Sequence, residues 1–362
     1  MSFFVPTLSL YFFGRYGKTF LSYCLGILLV ILLVDFNESG RRLSLAEDYT
    51  VTLGLLISAL RIPTVLQSVI PFIVLIASID TLLKLNRKYE LVVARAAGIS
   101  AWQFLAPLII ANLLIGTISI TGLNTIAAKS MQLAETIVVE RNLGSPRPTS
   151  VAPWMRQRTE EGDTVLGARA TSEGGTRLSG ATFILFDKDQ RIKERLEAER
   201  AKLTDGAWEL ENVKRVRVLE PVENLATVTV PTGLKAEFVG ETLTSPDTVP
   251  FFELSGKIAT AKSFGLPSTS YEMQFHRLVA QPALLAAMTL IAAMVSLKFV
   301  RFGQSLTAIL GGILAGFVLY VVSELIQAFA NAGTIPPVVA AWLPVLVASA
   351  LGTTVLLHKE DG

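Results

Sequence analysis

Charge is distributed very unevenly along this chain of 362 residues, and the unevenness limits the folds that it can adopt. Between Lys129 and Lys262 lie 39 of the 62 charged residues, whereas both flanking regions contain long stretches without charge. Overall, only 17% of the residues are charged and 51% are hydrophobic, against about 25% charged in soluble domains. The pattern predicts a membrane protein with a water-soluble domain inserted between two membrane-embedded halves. A net charge of +2 does not indicate a nucleic-acid partner.

Six apolar segments are long enough to be membrane spans, three on each side of the charged region. A helix needs about 20 apolar residues to cross a hydrocarbon core about 30 Å thick. Paired prolines separate the last two segments, because proline cannot continue a helix. The first three predicted spans are Thr19–Val34 with its flanks, Ile62–Leu83, and a segment within Ala96–Ala128 that starts at about Phe104. The apolar run of the second is interrupted by Pro63, Pro71 and Asp80. The last three are Leu278–Leu297, Phe302–Ser323 and Pro336–Leu357.

Basic residues in the short connections give the orientation. With six spans they fall on one side of the membrane, which is the cytoplasmic side because positively charged loops are retained there. The charged middle domain is then outside, in the periplasm if the cell has two membranes. The basic residues on the cytoplasmic side are Arg15, Lys18, Lys84, Arg87, Lys88, Arg95, Lys298, Arg301 and Lys359.

The sequence therefore divides into residues 1–128, 129–264 and 265–362, with the middle segment mainly β. Asp205-Gly206 favours a tight hairpin within Ala201–Val218, with Trp208, Leu210 and Val213 on one face. Further strands are predicted at Thr164–Ala170, Ala181–Phe186 and Ala226–Val230, and Arg191–Arg200 fits either a strand or a solvated helix. Many short strands favour a sandwich or a jelly roll. Val249–Phe264 fits an amphipathic helix that returns to the membrane.

Enzyme signatures are absent from the sequence. It contains no phosphate-binding Gly-x-x-x-x-Gly-Lys-Ser/Thr loop, no His-Glu-x-x-His and no Gly-x-Ser-x-Gly. The only histidines, His276 and His358, lie at predicted membrane boundaries and do not form a metal or catalytic pattern. A chain of this kind that does work on a membrane substrate would take energy from another subunit. We therefore expect a permease or a scaffold rather than an enzyme.

The segment Asn86–Ser100 on the cytoplasmic side is too polar for a span and too apolar for a free loop. At helical spacing Leu91, Ala94 and Gly98 form one stripe with Val92 and Arg95 beside it, and Arg87, Glu90 and Arg95 lie toward water. Glu90 could bind in a groove of an ATPase and form ion pairs there. The alternative is an ordinary positive loop in which Glu90 neutralises the neighbouring basic residues. The spacing alone leaves both open.

Three motifs resemble one family. Arg87-Lys88-Tyr89-Glu90-Leu91 through Gly98 resembles the cytoplasmic coupling segment of the lipopolysaccharide-export permeases, the YjgP/YjgQ family of the F and G types. Gly311-Gly312 through Gly316-Phe317 with Tyr320, and Ile335-Pro336-Pro337 with Trp342-Leu343-Pro344, are similar to the family's closing spans. The order of three spans, a β domain and three spans agrees with that family. The Glu-Leu-Val-Val sequence and the Ile-Pro-Pro turn are closer to the G type. Tyr89 departs from the small residue that is frequent at its position.

This resemblance implies an α-helical membrane protein with six spans and an inserted periplasmic jelly-roll-like domain, in the bacterial inner membrane. It implies a permease that extracts lipopolysaccharide and passes it to a periplasmic bridge. Its expected partners are a paralogous F-type permease, a dimeric cytoplasmic ATPase that holds the ATP and magnesium, and a single-span protein. No cofactor or metal is expected in this chain. The coupling helix is expected over about residues 84–101, with Arg87, Glu90, Leu91, Arg95 and Gly98 as contacts. The alternative is a scaffold that transmits ATPase strokes without a substrate path through its own bundle.

Substrate contacts follow from the chemistry of an acylated, phosphorylated lipid. Arg41, Arg42 and Arg61 lie at the outer boundary of the first two spans, and guanidinium groups bind phosphate with paired hydrogen bonds. Contact with ordinary lipid headgroups is an equal alternative for Arg61, whereas the resemblance to the family favours phosphate binding by the Arg41–Arg42 pair. Gly311, Gly312 and Gly316 would let another helix approach closely, which in this family we expect near the partner permease. Six apolar residues are candidates to line a cavity for the acyl chains, and each could instead be an ordinary packing residue. They are Leu28, Leu32, Ile70, Phe72, Phe317 and Tyr320.

Overall fold

Two helices of unusual length begin the chain. The structure is a computed structural model that describes residues 6–43, 50–141, 155–159, 162–168, 170–172, 176–187, 191–204, 206–217, 220–232, 245–263, 268–296 and 305–360. Helix α1 (Pro6–Leu43) has 38 residues and α2 (Val51–Arg87) has 37. At a rise of about 1.5 Å per residue each is about 55 Å long, well beyond a hydrocarbon core of about 30 Å. Both helices therefore continue past the spans that apolar composition predicts.

Helix α2 is continuous through Pro63 and Pro71, the two prolines that interrupt the apolar run of the predicted second span. Proline removes a hydrogen bond to the carbonyl four residues earlier, which for Pro71 is that of Gln67. Here Gln281 Nε2 donates to the Gln67 carbonyl oxygen at 3.4 Å. A neighbouring helix thus supplies the missing donor, as membrane helices commonly require.

Four helical segments follow on the way to the β domain. They are α3 (Glu90–Ala96), α4 (Ala101–Ile118), a π-helical turn (Ser119–Leu123) and α5 (Asn124–Glu140). Ser100 caps α4, since its side chain accepts from the Gln103 amide while Gln103 accepts from the Ser100 amide. Gln67 Nε2 donates to the Ser119 carbonyl at 3.4 Å, within the π-helical turn.

The carboxyl-terminal half consists of α6 (Phe251–Ser263), α7 (Thr269–Ser296), α8 (Ser305–Asn331) and α9 (Pro337–Glu360). Gly333 ends α8 with a φ of +78°, which glycine adopts without a steric cost, and the turn then leads to the paired prolines. In the part of the chain that the structure describes, six helices are long and apolar enough to cross a membrane. The prediction of three spans on each side of a β domain is confirmed.

The described residues of the β domain form seven strands in one antiparallel sheet of order β1-β2-β4-β5-β6-β7, with β3 paired to β4. The strands are β1 (Met155–Thr159), β2 (Gly162–Gly167), β3 (Ala170–Ser172), β4 (Arg177–Phe186), β5 (Ile192–Thr204), β6 (Ala207–Arg217) and β7 (Glu223–Pro231). A jelly roll needs two facing sheets, so the prediction of a β domain is confirmed and the jelly-roll topology stays a prediction.

Strand β5 decides the Arg191–Arg200 alternative in favour of a strand. Thr204 pairs with Ala207 across a two-residue connection, and Gly206 in that connection has a φ of +81°. Asp205 lies outside the described residues. The hairpin therefore has the position and length that the sequence predicts.

The buried face of the sheet is centred on Trp208. Its ring lies against that of Phe183, with centroids 6.0 Å apart in an edge-to-face arrangement. Burial along β6 changes phase at Asn212, whose φ is +52°. For this reason Leu210 before Asn212 and Val213 after it are both buried.

The chain forms two units by its internal contacts. The first consists of Met1–Ile31, Pro63–Ile126 and Thr269–Gly362, and the second of Leu32–Ile62 and Ala127–Ser268. The second unit contains the segment 129–264, which the sequence predicts to be a separate domain. It also contains the carboxyl-terminal end of α1 and the amino-terminal part of α2. In this unit Gln132 Nε2 of α5 donates to the Thr248 carbonyl at 2.7 Å, just before α6.

Candidate functional site

Helix α3, in the segment Asn86–Ser100, is bounded by two residues in the left-handed region. Tyr89 has a φ of +59° and joins α2 to α3. Gly98 has a φ of +83°, and the amides of Gly98 and Ile99 donate to the carbonyls of Arg95 and Ala94. This is the usual glycine-terminated helix end. A helix of seven residues is marginal by itself, so contacts with the rest of the first unit hold it in place.

The buried face of α3 consists of Leu91 and Ala94. Leu91 belongs to the same apolar cluster as Phe12 and Tyr16 of α1 and Phe104 of α4. Gly98, which the sequence places in this stripe, is instead exposed, because its role is to end the helix. The prediction of one buried stripe therefore holds for Leu91 and Ala94 and is wrong for Gly98.

The opposite face of α3 is exposed and largely apolar. Tyr89, Val92 and Val93 are exposed, with 66% of Val93 accessible. Arg87 and Arg95 are also exposed. Apolar side chains beside basic ones, on the side predicted to be cytoplasmic, form a surface suited to a partner protein.

Glu90 forms an ion pair that sequence spacing did not reveal. Arg15 Nη1 of α1 lies 2.9 Å from Glu90 Oε1 and also donates to the Tyr11 hydroxyl at 2.5 Å. The two charged side chains are partly buried, with 21% of Arg15 and 28% of Glu90 accessible. At the other end of α3, the guanidinium carbon of Arg95 lies 5.9 Å from the centre of the Phe104 ring, within cation–π range. Each end of α3 is thus attached to a different helix by a cation.

A buried chain of hydrogen bonds crosses the first unit close to this ion pair. The Tyr16 hydroxyl of α1 donates to Asn112 Oδ1 of α4 at 2.6 Å, and Asn112 Nδ2 donates to Thr289 Oγ1 of α7 at 2.6 Å. Polar side chains within membrane helices are costly unless they find partners. An isolated Asn112 in the apolar run from Ala96 to Ala128 was the only signal that the sequence offered.

Two glycines of α8, Gly312 and Gly316, lie against α2 of the same chain. A Cβ added at Gly316 would lie 2.1 Å from Leu75 Cδ2, and one at Gly312 would lie 2.6 Å from Ile79 Cδ1. A Cβ at Gly311 would meet no atom within 4 Å. The small residues therefore serve close helix packing, but in this structure that packing is within the chain, whereas we expected it near a partner permease.

The rings of Phe72 in α2 and Tyr320 in α8 also pack against each other, with centroids 5.0 Å apart. The structure thus brings together two of the six residues proposed for an acyl cavity. Of the others, Ile70 is buried, Leu28 and Leu32 are half-buried, and Phe317 is exposed. Phe317 is the most accessible of the six to a lipid chain.

The three proposed phosphate-binding arginines are in different environments. Arg41 is exposed, and its Nη2 lies 3.1 Å from Glu38 Oε2. Arg61 is only 3% accessible, and its Nη1 donates to Ser39 Oγ at 3.4 Å. Arg42 lies in the last turn of α1, and its side chain is outside the described part of the chain. Of the two described side chains, that of Arg41 is the one that a headgroup can reach directly.

Comparisons with known proteins place this arrangement in a family. Residues 10–358 match the family model of the lipopolysaccharide export system permease LptF/LptG. The chain is 22% identical over 370 residues to the lipopolysaccharide export system permease protein LptG of Haemophilus influenzae, covering 95% of this chain and 98% of that protein. It is 23% identical over 299 residues to the LptG protein of Escherichia coli K12, covering 79% and 80% of the two chains. The match over nearly the whole chain shows that it belongs to the LptF/LptG family of permeases, on the LptG-like side.

Proposed function

We propose that this chain is a permease subunit that extracts lipopolysaccharide from the bacterial inner membrane, driven by ATP hydrolysis in a separate subunit. The observation that carries the proposal is α3, a short helix with one face anchored in the first unit and the other exposed, within a chain that matches the family from residue 10 to 358. In this arrangement the β domain is periplasmic and passes the lipid to a bridge protein. An F-type paralogue completes the membrane part, and ATP and magnesium bind in the ATPase. A single-span protein completes the assembly.

The coupling surface consists of Tyr89, Val92, Val93 and Arg95. The apolar members would enter a groove of the ATPase, and the basic member would meet acidic groups at its rim. Since Leu91 and Ala94 attach the helix to the first unit, a displacement of this surface would move the whole helix rather than bend a loop.

On the outer side, Arg41 is the proposed ligand for a lipid phosphate. Its present partner, Glu38, is partly exposed, with 39% of the side chain accessible, and ion pairs at the surface contribute only about 0–1 kcal/mol. A phosphate could therefore replace that carboxylate at little cost. Phe317, on an exposed part of α8, is the proposed acyl contact.

Replacing Val93 with glutamate tests the ATPase surface. The change places a charge on an exposed position where the protein alone tolerates it, but where docking would bury it. We expect copurification of the ATPase with the permease to fall about tenfold, equivalent to about 1.4 kcal/mol, without loss of permease from the membrane. The matched control is Val222→Glu, a similarly exposed valine before β7. Equal copurification for both variants would show that α3 is not the docking surface.

A further inference from the structure

We propose that Arg15 is a positioning residue for α3, and that it acts through Glu90 to make α1 and the coupling helix move as one body. The inference rests on the proposed function, and it assigns the Glu90 charge to an intramolecular role. The two residues are 75 positions apart, and the pair joins Arg15 Nη1 to Glu90 Oε1 at 2.9 Å.

The geometry favours a link of defined orientation. Leu91 and Ala94 hold α3 by apolar contact, which is not directional. Glu90 is the first residue of α3, where a negative charge also complements the helix dipole. Arg15 is held in turn by the Tyr11 hydroxyl, one helical turn earlier on α1. The ion pair therefore adds a directional contact at the start of α3, whose other contacts are the apolar packing of Leu91 and Ala94 and the position of Arg95 over Phe104.

The same turn of α1 is attached to the interior of the first unit. Phe12 and Tyr16 are buried in the cluster that contains Leu91. Tyr16, adjacent to Arg15, begins the hydrogen-bond chain to Asn112 of α4 and Thr289 of α7. Arg15 thus passes a movement of α3 to a segment of α1 that is linked by hydrogen bonds to α4 and α7. In the sequence, α4 precedes the β domain and α7 follows it.

Hydrogen exchange tests the link independently of transport. In the complete transporter in lipid nanodiscs, we expect Arg15→Gln and Glu90→Gln each to speed exchange of the amides of residues 93–99 about tenfold, because each loses the same contact. The double variant should not exceed either single variant. The control Lys18→Gln removes an exposed charge from the same helix and should exchange like the wild type. Unchanged exchange in Arg15→Gln would overturn the proposal.

A transport assay adds a measurement, the lipid released per ATP hydrolysed, that a purely structural role of Arg15 would not change. We expect Arg15→Gln and Glu90→Gln to lower lipopolysaccharide released per ATP hydrolysed, with ATPase copurification retained, and the exchanged pair Arg15→Glu/Glu90→Arg to restore release. Wild-type release in Arg15→Gln together with lost release in Glu90→Gln would contradict the proposal and place Glu90 at the ATPase. If the wild-type complex itself released no lipid, the proposed function would fail, whereas the exchange experiment would still decide the pairing.

Discussion

Replacing Gly116 with valine is expected to destabilise the contact between α4 and α7 by about 3 kcal/mol, since overpacking of a close contact forces the backbone apart. A Cβ at Gly116 would lie 2.5 Å from Pro282 Cα and 2.9 Å from Pro282 Cβ. The obstacle is the backbone of a helix, which cannot turn aside as a flexible side chain can. Asn112 lies one turn before Gly116 on α4, and its hydrogen bond to Thr289 of α7 would be strained as well.

The control for this prediction is Gly311→Val. Position 311 carries the same residue in another apolar helix, but a Cβ there meets no atom within 4 Å. Denaturation by SDS in mixed micelles, followed by circular dichroism, gives the change in the free energy of unfolding. Equal losses for the two variants would show that helix propensity, rather than the approach to Pro282, determines the cost.

Replacing Trp208 with alanine is expected to cost about 3–5 kcal/mol, because it empties the centre of the buried face of the sheet. Trp208 is fully buried and lies edge-to-face against Phe183. The variant should lose β-domain order while the membrane helices stay folded, because the membrane helices have an apolar cluster of their own.

Trp208→Phe is the matched comparison, since it keeps an aromatic ring against Phe183 and removes only part of the volume. We expect its loss to be less than half that of Trp208→Ala. Protease sensitivity of the β domain in membrane vesicles measures both. A domain that resists protease equally in both variants would contradict the role given to Trp208.

The sequence predicted the parts of the fold that depend on composition and local pattern. Long uncharged runs indicated six spans, and alternation around Asp205-Gly206 indicated the hairpin that the structure shows. It did not predict that α2 continues through Pro71, because the donor that compensates, Gln281, is 210 positions away from that proline. Composition also did not predict the length of α1, since the apolar run on which the predicted first span rests is only Thr19–Val34 with its flanks.

The candidate site was predictable as a segment but not as a set of contacts. Leu91 and Ala94 were correctly placed on one face by helical spacing. Gly98 was assigned to that face, although Gly98 followed by Ser100 and Gln103 contains the signals of a helix end and a new helix start. Arg15 could not be identified as the partner of Glu90, because nothing local connects residues 75 positions apart.

The ion pair changes what Glu90 can be expected to do. The sequence allowed two roles, a docking charge for an ATPase or a neutraliser of the adjacent basic residues. In the structure Glu90 instead meets a basic residue of another helix, and the exposed face of α3 consists of its neighbours. The proposed coupling element is therefore a helix held by Glu90 and presented to a motor by Tyr89, Val92 and Val93.

The most direct test of the central claim is the location of newly made lipopolysaccharide when this protein is depleted from its own cell. Pulse-labelled lipid would be followed by separation of the inner and outer membranes. The proposed function predicts that labelled lipopolysaccharide accumulates in the inner membrane, and that re-expression of the wild-type chain restores its delivery to the outer membrane. Delivery at an unchanged rate after depletion would contradict it.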